Sequence, residues 1–244
     1  MSSEKPVAKD LLGVAPYGEA MKIAVEKATE TAQTFLYSIC KPAADEFGLL
    51  LKDRVRLWRA RNLANIANKA KELVIVNADG VQLCAHPRLV AEVVEHGSWC
   101  EDERLQSMWA GLLSSACTAD GKDESNLVFA DLLKRITTSE ARFLAYVCER
   151  TRGSWGAQVE LPESEMAKAM DTSDMQVVAY QLGHVRSLGL IRHPSESDWS
   201  HPMLKQMPAT PAELGLHLYI RCQGSRKAPD DFFGWKKFPQ DYPQ

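Results

Sequence analysis

The stretch ERLQSMWAGLLSSA, Glu103 to Ala116, decides how this chain is read. Leu105, Met108, Trp109, Leu112, Leu113 and Ala116 recur at spacings of three and four, the repeat of one helix face. Glu101, Asp102 and Glu103 stand at its start, where the positive end of the helix dipole favours carboxylates. Gly111 and the Ser/Ala run keep part of the helix thin, so that a neighbouring helix can come close. Glu103 sits six residues before Trp109, and no His or Cys is placed beside it to share a chemistry. The segment reads as a core helix, not as the seat of an active site.

Working outward, the chain has 244 residues, 45% hydrophobic and 25% charged. That is enough for one or two folded domains with real cores. The net charge of -3 makes no global case for nucleic acid or an anionic membrane. The six cysteines form no CxxC, and His96 with Cys100 is a lone pair at helical spacing. No second pair completes a zinc site, so the thiols read as reduced and mostly buried. No signal-peptide pattern opens the sequence, and no run approaches the length of a membrane span. The expectation is a soluble, cytoplasmic protein that needs no cofactor.

Before the tryptophan helix, Met21, Val25, Ala28, Ala32, Phe35 and Ile39 form a narrow apolar seam. It reads as a helix packed on its own domain. A coiled-coil-like partner helix or an interfacial membrane helix is the sharper alternative. Glu19, Glu26 and Glu30 argue against the membrane. A second helix is expected from Pro42 to about Val74, because proline suits a first helical turn. It carries Lys52, Arg54, Arg56, Arg59 and Arg61, with Lys52, Arg56 and Arg59 on one face. Such a cluster can contact phosphates. A solvated face whose long stems cover apolar surface is the commoner arrangement. A short helix follows from Pro87, stopped by Gly97, and another spans about Asn126 to Ile136.

After the tryptophan helix, a new unit opens at TTSEARFLAYVCERT, with Thr138 or Ser139 as N-cap. A short helix over LPESEMAKAM and a longer one capped near Ser173 follow. The segment LIRHPSESDWSHPMLKQMPAT reads as two short strands around a polar wing, and TPAELGLHLYIRCQ as a closing helix. This is the order of a winged helix-turn-helix. The longer helix offers Gln176, Tyr180, His184 and Arg186 as nucleic-acid or partner contacts, and Arg186 is the permanent cation among them. Over 139–222 eight Lys or Arg face ten Asp or Glu, and Glu196 and Asp198 sit in the wing. That is a poor footprint for a duplex, so the unit reads as structural or protein-binding. The expected fold is mostly α. An N-terminal helical bundle precedes a winged-helix-like α+β unit with a small β-wing. The divisions are a tail over 1–17, a helical domain over 18–136, the winged unit over 137–223 and an extended tail over 224–244. Phe232, Phe233 and Trp235 of that tail are expected to dock on their own chain, with docking on a partner as the alternative.

No HExxH, GxSxG, P-loop or GxGxxG occurs, and His184, His193 and His201 lack a regular ligand spacing. Nothing calls for a metal or a catalytic centre, and the expectation is a protein that is not an enzyme.

Several blocks together resemble a bacterial family, the abortive-infection alpha proteins. They are KPAADEFGLLLKDRVRLWRARNLANIANKAKEL, HPRLVAEVVEHGSWCEDERLQSMWAGLLSSA, LVFADLLKRITTSEARFL and TPAELGLHLYIRC. The block holding Leu105, Met108, Trp109, Leu112 and Leu113 carries most of the likeness, which covers about residues 40–222. The resemblance carries no catalytic residues onto this chain. It implies a role in phage defence, exercised by binding a protein partner or phage product, or by self-association. A nucleic-acid-binding regulator is the alternative. A membrane-perturbing effector ranks below it.

Overall fold

The computed structural model describes residues 27, 30–32, 34–38, 56–77, 83–153, 159–192 and 206–235. The chain is mostly helical and divides between Lys134 and Arg135 into two compact units.

The first unit is built on α1 (Arg56–Asn77) and α3 (Glu103–Ser115), with α2 (Pro87–Glu92) and α4 (Leu127–Leu133) beside them. The alanines of α1 suit a helix and leave room: Ala60, Ala64, Ala67 and Ala70 are buried with Leu63 and Ile66. The short α2 starts with proline at its first turn, as expected, and runs on into a π-helical turn, Val93–Gly97. Gly97 is small for a packing reason. A Cβ there would stand 3.1 Å from Ile66 Cδ1 and 3.4 Å from Trp109 Cγ.

Helix α3 is the girder the sequence suggested, and more deeply sunk than a one-face pattern implies. Asp102 caps it, its Oδ1 accepting from Arg104 N–H at 3.0 Å and Leu105 N–H at 3.1 Å. Leu105, Met108, Trp109, Leu112 and Leu113 are all buried, and so are Gln106, Gly111, Ser114 and Ser115. A helix covered nearly all round belongs to the centre of its unit. Of the N-terminal seam, Ala32 and Phe35 are buried. Met21, Val25, Ala28 and Ile39 lie outside the described residues.

The second unit begins with α5 (Thr138–Arg150). The cap is Thr137, one residue earlier than expected, in a capping box with Glu140. Strand β1 (Glu160–Pro162), α6 (Glu163–Ala169) and α7 (Met175–Ser187) follow. Asp174, and not Ser173, caps α7 by accepting from Gln176 N–H at 2.8 Å. Strand β2 (Gln206–Pro208), α8 (Glu213–Cys222) and α9 (Pro229–Phe233) complete the unit.

The expected β-wing is not supported. Strand β2 does not form a hairpin with residues 190–192. It pairs antiparallel with β1, Leu161 opposite Met207, where the sequence suggested the start of the short helix over LPESEMAKAM. Residues 190–192 contribute an isolated bridge, Ile191 with Pro211, and a bond from Arg192 N–H to Thr210 O at 2.9 Å. Pro208 and Pro211 have no N–H to give, which keeps any ladder here short. The wing itself, with His193, Glu196, Asp198 and His201, falls outside the described residues.

The C-terminal segment is not simply extended, since α9 forms a helical turn ended by Gly234 at φ 70. Phe233 stacks on Tyr219 of α8 and Trp235 stacks on Phe233. The Trp235 indole N–H donates to Thr151 O at 3.0 Å. These aromatics therefore dock on their own unit. The Tyr219 hydroxyl beneath them donates to the Glu149 carboxylate. Burial, reinforced by that carboxylate, holds its proton far more tightly than an exposed tyrosine does.

Candidate functional site

Of the basic run of the sequence, the structure describes the side chains of Arg59 and Arg61. Lys52 and Arg54 lie outside the described residues, and so does the side chain of Arg56. Arg59 points inward and is only 7% exposed. Its Nε donates to Ser98 Oγ at 3.0 Å and its Nη2 to Glu95 O at 3.5 Å. The guanidinium lies 4.5 Å from the centre of the Trp99 ring. Glu95 belongs to the π-helical turn, and Ser98 and Trp99 follow it, so that irregular turn shapes the receptacle for Arg59. Arg61 remains exposed on α1, with no ion-pair partner among the described residues.

This placement predicts a structural phenotype. Arg59→Ala should cost about 2 kcal/mol, from lost hydrogen bonds to a charged group and a lost ring contact. A thermal melt checks it. An unchanged melting temperature would mean that Arg59 is free to serve a ligand.

Helix α7 sorts its candidates in the same way. Gln176 and Tyr180 face solvent, Tyr180 at 64% exposure. Met175, Ala179, Gly183 and Ser187 are exposed with them. That outward face holds no charged side chain. The cation expected there, Arg186, is buried, and burial lowers the pKa of its guanidinium. His184 is tied down: its Nδ1 lies 2.7 Å from Oε1 of the buried Glu140. The other oxygen of Glu140 accepts from Thr137 N–H at 2.7 Å. His184 thus joins α7 to the capped start of α5.

The sequence reading did not single out two features of the first unit. One is an aromatic pair, Trp58 edge-on to Trp99 at 5.7 Å, with Trp99 half exposed. The other is an open groove of about 540 Å³. Trp58, Arg61, Asn62, Asn65, Asn68, Lys69 and Glu72 of α1 line it, with Glu101, Glu103 and Gln106 opposite. Asn62, Asn65 and Asn68 recur every three residues, and that stripe was the available signal. The groove itself depends on where α3 lies.

Among the described residues no group of three His, Cys, Asp or Glu is placed to hold a metal ion. Cys117, Cys148 and Cys222 are buried thiols, none in a disulfide, and burial pushes Cys148 and Cys222 well above the usual thiol range. No described helix is long and apolar enough to cross a membrane.

A family model described as abortive infection alpha matches residues 59–214. No curated protein and no solved structure matches the chain.

Proposed function

The chain belongs to the abortive infection alpha family, and from that membership we propose that it acts in phage defence as a non-enzymatic protein that binds a partner. The partner is a protein of the cell or a phage product, and self-association is the other mode the reading admits. The family match spans both units, from α1 to the start of α8.

The observation that carries this reading is the uncharged outward face of α7. The succession of helices α5, α6 and α7 is similar to that of a helix-turn-helix, and it favours nucleic acid as the second reading. A duplex-reading version presents Arg or Lys from the longer helix to bases and phosphates. Here the helix presents Met175, Gln176, Ala179 and Tyr180, while Arg186 is buried. A neutral face with an exposed aromatic suits a protein surface better than a phosphate backbone.

A mobility-shift series with duplex and single-stranded oligonucleotides tests the choice. The expected result is no retarded band even at the lowest salt. A band that fades steeply as salt rises would establish phosphate contacts and sink the reading.

A further inference from the structure

The groove between α1 and the start of α3 has the chemistry of a peptide site. Its floor holds Gln106, only 3% exposed. Gln106 Nε2 donates to Asn62 Oδ1 at 3.3 Å and to Cys100 O at 3.0 Å. Its Oε1 accepts no hydrogen bond among the described residues. Asn65 and Asn68 also line the groove and also have no partner there. An amide side chain carries donor and acceptor together, matching the N–H and C=O of a peptide main chain whatever its sequence.

The charges around these amides are unevenly used. Lys69 donates to Ser107 Oγ at 2.8 Å and pairs with Glu103 at 3.4 Å, so both charges are matched. Glu72 and Glu101 line the same groove with no cationic partner among the described residues, and they outnumber its one unmatched cation, Arg61. At the other end of the α1 stripe stands Trp58, a surface on which an aliphatic stem can lie. From Trp58 to Glu72 the helix rises about 21 Å at ~1.5 Å per residue. An extended chain of about six residues spans that length at ~3.3 Å each.

We infer that this groove binds an extended peptide segment bearing lysine or arginine. Asn65, Asn68 and the free oxygen of Gln106 hold its main chain, and Glu72 and Glu101 receive its cations. The unpaired carboxylates disfavour a phosphate chain in the same place. The inference rests on the partner-binding reading above and names the surface and class of partner.

The test uses the full chain and two labelled, end-blocked hexapeptide pools, one with two fixed lysines and one with glutamates instead. Fluorescence anisotropy reads binding, with a single-stranded oligonucleotide as a third probe. The lysine pool should bind and the glutamate pool should not. The double variant Asn65→Ala/Asn68→Ala should weaken binding about tenfold, for the loss of main-chain hydrogen bonds. Its melting temperature should hold, because neither side chain is bonded within the described residues and alanine favours the helix. Glu72→Gln should narrow the preference for lysine over glutamate. Equal binding of the two pools, binding indifferent to the asparagines, no peptide binding, or preference for the oligonucleotide would each overturn the inference. If no peptide binds while a protein is still captured from infected cells, the groove proposal alone falls. If neither occurs, the partner-binding reading falls with it.

Discussion

Replacing Gly215 with alanine is expected to unfold the second unit, with a loss of about 3 kcal/mol or more. Gly215 lies in α8 where that helix meets the turn after α7. A Cβ on it would stand 2.1 Å from the Leu190 carbonyl oxygen and 2.9 Å from the carbonyl carbon. These are backbone atoms, so no rotamer relieves the clash. The Leu190 oxygen already accepts from Ala212 N–H at 2.9 Å. Moving it away would strand a buried polar pair as well as opening the core. A thermal melt of the variant, or its failure to accumulate in soluble form, reads the effect. A melting temperature near that of the parent would show that α8 does not pack against the turn as described.

Trp109→Ala should be nearly as severe, at about 3–5 kcal/mol. The ring is 1% exposed, packs on Gly97 and lies on the most buried helix of the first unit. Among the described residues its buried indole N–H meets no oxygen or nitrogen acceptor, and the Cys100 thiol beside it is a weak one. The tryptophan is therefore held for its shape and area, not for a strong polar contact. Trp109→Phe should accordingly cost much less than the alanine variant, since it keeps a ring and gives up only a weak contact to the Cys100 thiol. Chemical denaturation of the two variants checks the order. Equal losses would mean that the N–H has a strong partner or that the cavity, not the ring, decides the cost.

How much of this was legible in the sequence differs from residue to residue, for physical reasons. The period of α3 and its small residues announced a packed helix, because burial along a helix is written locally at three and four. Both N-caps were located to within one residue. Adjacent Thr, Ser and Asp residues all offer an oxygen, and only backbone geometry selects among them. Arg59 resisted reading because its partners Ser98, Glu95 and Trp99 lie more than thirty positions away. A helix pattern shows that a cation sits on a face, but not what the face meets. Strand β1 has three residues, too few to display alternation, and its pairing with β2 crosses more than forty positions. The groove was written only in part, since its asparagine stripe belongs to α1 while Gln106, Glu101 and Glu103 arrive from the far side of a loop.

Defence by holding another protein requires both protection of the cell and a protein partner. The most direct measurement counts plaques on cells with and without the gene, then cross-links the tagged chain in infected cells before and after nuclease treatment. Fewer plaques with the gene, and protein cross-links that survive the nuclease, are the predicted result. Unchanged plaque counts, or cross-links that vanish with the nucleic acid, would contradict it.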